Sequence, residues 1–238
     1  MSAYSDIIQR YFEPTLSGVK QDIKNRRDKE FFRETGTQIY VGKQGSGKTA
    51  SAVYHALKLK KKYPKMIIVT NIQLFVNFEY VTFSSAQELA NKLTSVNNGK
   101  HGVLFLIDEI HTYFNALDSM NIPPYVFTEI SQQRKQRKAI VGTSQLFLRV
   151  AKPLREQVDT VIYCKTKFGV LTKQIALDGA SIEQDRDGKI FGDVKARGLF
   201  IQSAEFRAMY DTYQKVVSSE QQMYEYFDST ETKKRRIR

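Results

Sequence analysis

Cysteine is nearly absent: Cys164 is the one thiol among 238 residues, so no intramolecular disulfide can form and the chain suits a reducing, cytoplasmic setting. Histidine is scarce as well. His55, His101 and His111 are scattered, and with a single thiol they offer no zinc-binding spacing. Long apolar runs are missing too. The best, Val103 to Ile107, falls far short of the roughly 18 residues of a membrane span. The opening MSAYSDIIQRYFEP lacks the basic-then-apolar layout of a signal peptide, so no direct membrane span and no leader are expected. Acidic residues are in deficit, 25 against 37 Lys and Arg, which gives a net charge of +12 and a pI near 9.6. That excess points to a polyanionic partner, nucleic acid first and an anionic membrane second. The cations also cluster, at Lys58–Lys62, Arg134–Lys138 and Lys233–Arg236.

What is present argues for a folded enzyme. Apolar residues make up 41% and aromatics 12%, ordinary for a globular chain with a sizeable core. The organising stretch is Gly42-Lys43-Gln44-Gly45-Ser46-Gly47-Lys48-Thr49, preceded by the strand-like Ile39-Tyr40-Val41 and followed by a helix-like run from Ala50 to Lys62. It fits the Walker A spacing, in which glycines let successive backbone N–H groups converge on phosphate oxygens. The predicted binding set is Gly42, Lys43, Gln44, Gly45, Ser46, Gly47, Lys48, Thr49 and Ala50. Lys48 reaches the β- and γ-phosphates, Thr49 sits on Mg²⁺, and the helix directs its positive end at the nucleotide.

The second landmark is Gly102-Val-Leu-Phe-Leu-Ile-Asp108-Glu109. Five consecutive apolar residues suit a central parallel strand, and two carboxylates follow at its carboxyl end, where open α/β sheets bind ligands. Asp108 is expected to hold Mg²⁺ through water, and Glu109 to polarise the water that attacks the γ-phosphate. Further strands are expected at Met66–Thr70, Ala139–Gln145 and Thr160–Cys164, with a short extended stretch at Tyr80–Phe83. Helices are expected after Ser84 or Ser85, over Tyr125–Lys138, and at Leu154–Gln157. The fold class is therefore α/β, a P-loop NTPase sandwich with a mainly parallel sheet flanked by helices. Residues 1–35 read as a helical lead-in, 36–165 as the ATPase core, 166–216 as a β-rich extension and 217–238 as a polar basic tail. Within the extension, Asp185–Gly188 and Ala196–Gly198 read as hairpin connections. Asp185, Asp187 and Asp193 fall in a turn-rich stretch that does not read as a nuclease site.

In order, the phosphate loop, Asp108-Glu109, a basic helix and Thr143-Ser144-Gln145 resemble the additional-strand, catalytic-glutamate P-loop ATPases. Within that class the chain is similar to FtsK/HerA-superfamily DNA translocases, among them viral genome-packaging ATPases and Zot-type phage assembly proteins. The resemblance spans about residues 36 to 165. It implies that Gln145 senses the γ-phosphate and that Arg134 or Arg137 is an arginine finger for a neighbouring subunit's ATP, with Arg149 and Arg155 weaker candidates. The helix carrying Arg134 and Arg137 is expected to end beside the active-site edge. The resemblance also implies ATP and Mg²⁺ as cofactors, double-stranded DNA as partner, a homo-oligomeric ring, and docking on a capsid portal or membrane assembly protein. The host cytoplasm is the expected setting if the chain is viral. A Zot-like morphogenesis ATPase, a P-loop kinase and a nucleotide-switched DNA-binding protein stand as alternatives to a packaging motor.

Overall fold

The computed structural model describes residue 28 and residues 30–185 and 189–211. Residues 1–27 of the expected lead-in, residues 186–188 of the Asp185–Gly188 connection, the basic tail and the Lys233–Arg236 cluster lie outside these residues; the described end of the lead-in, residues 30–35, is a turn followed by irregular chain rather than the expected helix.

The principal strands are β1 (Gly36–Val41), β2 (Ile67–Thr70), β3 (Val81–Thr82), β4 (Val103–Ile107), β5 (Lys138–Ser144), β6 (Val158–Lys167) and β7 (Leu171–Asp178). The short β8 (Glu183–Gln184) and β9 (Ile190–Phe191) pair with each other in a separate two-stranded sheet, and β10 (Val194–Ile201) returns to the main sheet. That sheet has eight strands in the order β10-β7-β6-β1-β5-β4-β2-β3. From β6 to β3 every pairing is parallel, whereas β7 and β10 add antiparallel at one edge. The fold is thus the expected α/β sandwich, and the β-rich region extends its sheet.

Two helical layers cover the sheet. α1 (Lys48–Lys62) buries Val53, Ala56 and Leu59 against Leu104, Leu106 and Ile162. The opposite layer holds α2 (Ala86–Ser95), α3 (Pro124–Ser131) and α4 (Lys152–Arg155), which bury Leu89, Leu93, Val126, Ile130 and Leu154 against Ile39, Phe105, Ile107 and Ile140. Each of the Val, Leu, Ile and Phe side chains among these, fully removed from water, contributes about 1.5–3 kcal/mol. β4 is buried at every residue, as its unbroken apolar run requires.

Local chemistry sets the boundaries. α1 ends on Lys60, Lys61 and Lys62, which complement the negative end of its dipole. α2 begins with a capping box: Ser85 Oγ accepts from Glu88 N at 3.1 Å, and Glu88 Oε2 accepts from Ser84 N at 2.8 Å. Two further expectations are corrected. α3 stops at Ser131 rather than Lys138, because Gln132–Arg137 turn back into β5 with Arg137 at φ 51°. Ala196–Gly198 is the middle of β10, paired with Gln174–Ala176, not a hairpin connection.

After β10 the chain passes over the outer side of α1. Ser203 caps the short α5 (Ala204–Arg207), and Phe206 packs edge-on to Tyr54 of α1, with ring centroids 5.8 Å apart. Tyr210 then bridges to Leu74 beyond β2, with Phe75 N donating to Met209 O at 2.8 Å. This strap closes one side of the site.

Candidate nucleotide-binding site

Parallel registry brings the carboxyl ends of the central strands level, with Val41 beside Ser144 and Ile107 beside Gly142. The loop after β1, the acidic pair after β4 and Gln145 after β5 therefore meet at one edge. They line a cleft of about 840 Å³ together with Thr166, Gly169, Gln202, Arg207, Tyr210 and Asp211. That volume suits a small-molecule site.

The loop is built by its glycines and its lysine. Gly47 has φ 82°, and a Cβ there would lie 2.5 Å from Thr166 Oγ1 and 2.8 Å from Thr172 Oγ1, so only glycine fits. Lys48 is buried, and its Nζ donates to Lys43 O at 3.2 Å across the loop. Ser46 Oγ is buried without a hydrogen-bond partner among the described residues. An enclosed cation and the amino end of α1 in one concavity fit a phosphate chain.

Asp108 stands opposite. Its Oδ1 accepts from Thr49 Oγ1 at 2.9 Å and from Thr143 Oγ1 at 2.6 Å. Asn71, just past β2, clamps the Asp108 backbone, accepting from its N–H at 2.8 Å and donating to its carbonyl at 3.0 Å. Burial holds the Asp108 carboxyl above the usual carboxylate range, and the neighbouring Glu109 charge adds to this. Among the described residues no group of three or more His, Cys, Asp or Glu could cage a metal. A hydroxyl beside one carboxylate is instead the protein share of a Mg²⁺ site that draws its other oxygens from phosphates and water, and Thr49 with Asp108 fits that role.

Glu109 occupies the left-handed region at φ 47°, a conformation that costs a residue with a side chain about 1–3 kcal/mol. Two bonds impose it: Glu109 N donates to Thr143 Oγ1 at 2.9 Å, and Thr112 N donates to Glu109 O at 2.8 Å. The carboxylate meets Gln145, whose Nε2 lies 3.4 Å from Oε1, and His111, whose Nδ1 lies 3.3 Å from Oε2. His111 Nδ1 is also 3.2 Å from Ser144 Oγ. Burial lowers the His111 pKa, and the Arg149 and Lys48 charges lower it further, so the ring is neutral at pH 7.

The structure thus assembles the phosphate loop with Asp108, Glu109 and Gln145. Arg134 and Arg137 are elsewhere. They precede β5, at the amino end of the sheet, where they line a hollow with Phe32 and Asp159, and Arg137 lies over the Phe31 ring at 4.4 Å. The expectation that they sit beside the active-site edge is corrected: the seven residues of β5 put roughly 20 Å between them and the cleft. Arg149 follows β5 and is near enough to His111 to influence its titration. Sequence reasoning missed Asn71, His111, Thr166, Gln202 and Arg207. Asn71 was findable, since it follows an apolar strand as Asp108 does.

The sequence profile of the family described as Zonular occludens toxin (Zot) matches residues 36–214. The chain belongs to the Zot family. No curated protein matches this family member in sequence. Among solved structures, the N-terminal domain of zonular occludens toxin from Neisseria meningitidis resembles it at TM-score 0.54 and 14% identity, covering 74% of this chain and 99% of that one. B204, the DNA-packaging ATPase of Sulfolobus turreted icosahedral virus, gives 0.50 at 12% identity, with 67% and 97% covered. Identities this low speak for the fold, and the fold they share with this Zot-family chain is that of a P-loop NTPase.

Proposed function

We propose that this Zot-family chain is a Mg²⁺-dependent ATPase that drives DNA movement during phage assembly. The observation that carries the reading is Glu109, held in a strained backbone between Gln145 and a neutral His111, one residue from the Thr49–Asp108 pair. Bound Mg²⁺ would supply charge neutralisation on the phosphates. Lys48 and the loop N–H groups bind the phosphate chain, and Asp108 with Thr49 would hold the ion. Glu109 accepts the proton of the attacking water, and Gln145 orients that carboxylate. A neutral His111 places no positive charge beside the Glu109 carboxylate.

DNA as the driven partner is supported by the +12 charge. Membership of the Zot family is compatible both with an assembly ATPase working with a membrane partner and with a packaging motor. A subunit contact at the catalytic edge is supported by exposed apolar side chains around Arg149. Leu117 and Met120 are 96% and 98% exposed, and Leu148 is 47% exposed. Ala116 N donates to Arg149 O at 2.8 Å, tying that loop to the arginine. A neighbour covering this patch would receive Arg149 more readily than Arg134 or Arg137.

Phosphate release with and without duplex DNA tests the reading. DNA-stimulated multiple turnover that Glu109→Gln abolishes supports it. Transfer of phosphate to a small acceptor, or a single turnover without release, overturns it.

A further inference from the structure

The alternation of β6, β7 and β10 sends their side chains to two faces. Ile162, Cys164 and Phe200 point towards α1. On the other face, cross-strand registry forms three rows: Tyr163–Ile175–Arg197, Lys165–Lys173–Leu199 and Lys167–Leu171–Ile201. Lys165, Lys167, Lys173 and Arg197 are exposed, and none of the four takes part in an ion pair among the described residues. No carboxylate occurs in these rows. The acids of these strands, Asp159 and Asp178, lie at the far end, and Asp178 is engaged by Lys195 at 2.8 Å.

Lys165 and Lys173 are directly opposed, an arrangement that destabilises an antiparallel pair. An anion spanning the rows removes that repulsion. Beside the cations, on the edge strand β10, Leu199 and Ile201 are 59% and 68% exposed, and Phe168 at the β6–β7 turn is 91% exposed. Cations set in rows on a flat sheet, with an aromatic tip beside them, match a phosphodiester strand whose bases rest on apolar surface.

The reverse side of the same residues is the wall of the phosphate loop. Thr166, between Lys165 and Lys167, donates to Ser46 O at 2.9 Å, and its hydroxyl is 2.9 Å from that of Thr172. Thr172, beside Lys173, accepts from Gln202 Nε2 at 2.7 Å. One thickness of β-strand therefore separates the basic rows from the loop backbone.

We propose that the β6–β7–β10 face bearing Lys165, Lys167, Lys173 and Arg197 is a nucleic-acid-binding surface that backs directly onto the phosphate loop. It deepens the motor reading by naming where DNA is held. Because binding is measured without turnover, it can succeed or fail apart from ATP hydrolysis.

The test uses the full chain and fluorescein-labelled 30-nucleotide strands, single and duplex, followed by anisotropy from 50 to 300 mM salt. The triple variant Lys165→Gln/Lys167→Gln/Lys173→Gln is compared with a charge-matched control, Lys58→Gln/Lys61→Gln/Lys135→Gln. The face variant should lose at least about tenfold in affinity at 150 mM salt. Its slope of log affinity against log salt should shrink by roughly two to three. The control should lose less than threefold. Whichever form of DNA shows the loss is the form this face holds. A melting temperature equal to or above wild type confirms the fold, since the variant removes a repulsion. Lys165→Arg/Lys167→Arg/Lys173→Arg keeps the charge and should bind within threefold of wild type. Equal losses in face variant and control would overturn the proposal, as would a loss in the arginine variant. So would loss of binding to anionic phosphatidylglycerol vesicles with DNA affinity intact, which would make the face a membrane surface.

Discussion

The phosphate loop has two neighbours of different kinds. On one side, β5 and β4 run parallel to β1 and end in Gln145, Asp108 and Glu109, groups suited to hold an ion and a water. On the other, β6 continues past the loop and carries β7 and β10 antiparallel, presenting Thr166, Thr172 and Gln202 to the loop backbone. The first side supplies reactive groups and the second supplies support. Parallel strands that stop together leave a crevice for chemistry, whereas an antiparallel hairpin that overruns its neighbours becomes a wall.

The largest effect should come from outside both sides. If Arg149 serves a neighbour's site, Arg149→Ala should bind ATP normally and lose about 10³–10⁵ in turnover. Mixing it with Glu109→Gln, which keeps its arginine, should restore part of the activity. Full activity of Arg149→Ala, with rescue seen instead for Arg134→Ala or Arg137→Ala, would move the finger to the other end of the sheet.

On the reactive side, Glu109→Gln should keep nucleotide affinity and lose about 10²–10⁴ in kcat, while Lys48→Ala should lose nucleotide binding itself. Calorimetric titration alongside phosphate release separates the two, and near-normal turnover by Glu109→Gln would remove the general base.

Asp108 allows a sharper contrast, because its burial serves function at a cost to the fold. Its folded-state pKa is raised, so its favourable contribution is full below the unfolded value and is lost as pH rises through the folded one. At pH 7, without nucleotide or Mg²⁺, Asp108→Asn should therefore melt a few degrees above wild type. The gap should close as pH falls towards the ordinary carboxylate range. The same variant should lose turnover, and a lower melting point at pH 7 would contradict the assignment.

The supporting side should respond more mildly. Thr166→Val leaves the Ser46 carbonyl and the Thr172 hydroxyl each short of a partner. This should weaken ATP binding by about tenfold, the equivalent of about 1.4 kcal/mol, with little change in kcat. Arg207 lines the cleft from the strap and bonds Gln202 Oε1 at 3.2 Å. Arg207→Ala should raise KM for ATP a few fold at most. A large fall in kcat from either substitution would mean that the wall also takes part in chemistry.

The reactive side was legible because its residues follow local rules. A glycine-rich turn between strand and helix, and an apolar run ending in two carboxylates, announce themselves within a short segment. Asn71 obeys the same rule, yet its strand is short and it brings no charge to mark the strand end. The wall was not legible. Thr166, Thr172 and Gln202 are ordinary polar residues in β-rich sequence, and their role depends on a loop 120 positions earlier in the chain than Thr166. The basic run Arg134–Lys138 invited a helix reaching the active-site edge. Turns at Gln132–Arg137 instead deliver it to the opposite end of the sheet.

Sequence by itself determined the phosphate loop, the buried central strand and the acidic pair, because each is encoded by backbone freedom, hydrophobic run length and charge within one short segment. Tertiary structure alone decided the pairing of Glu109 with His111, the wall behind the loop, and the gathering of Lys165, Lys167, Lys173 and Arg197 on one face. These depend on strand order and register, which long-range packing fixes and no local pattern carries.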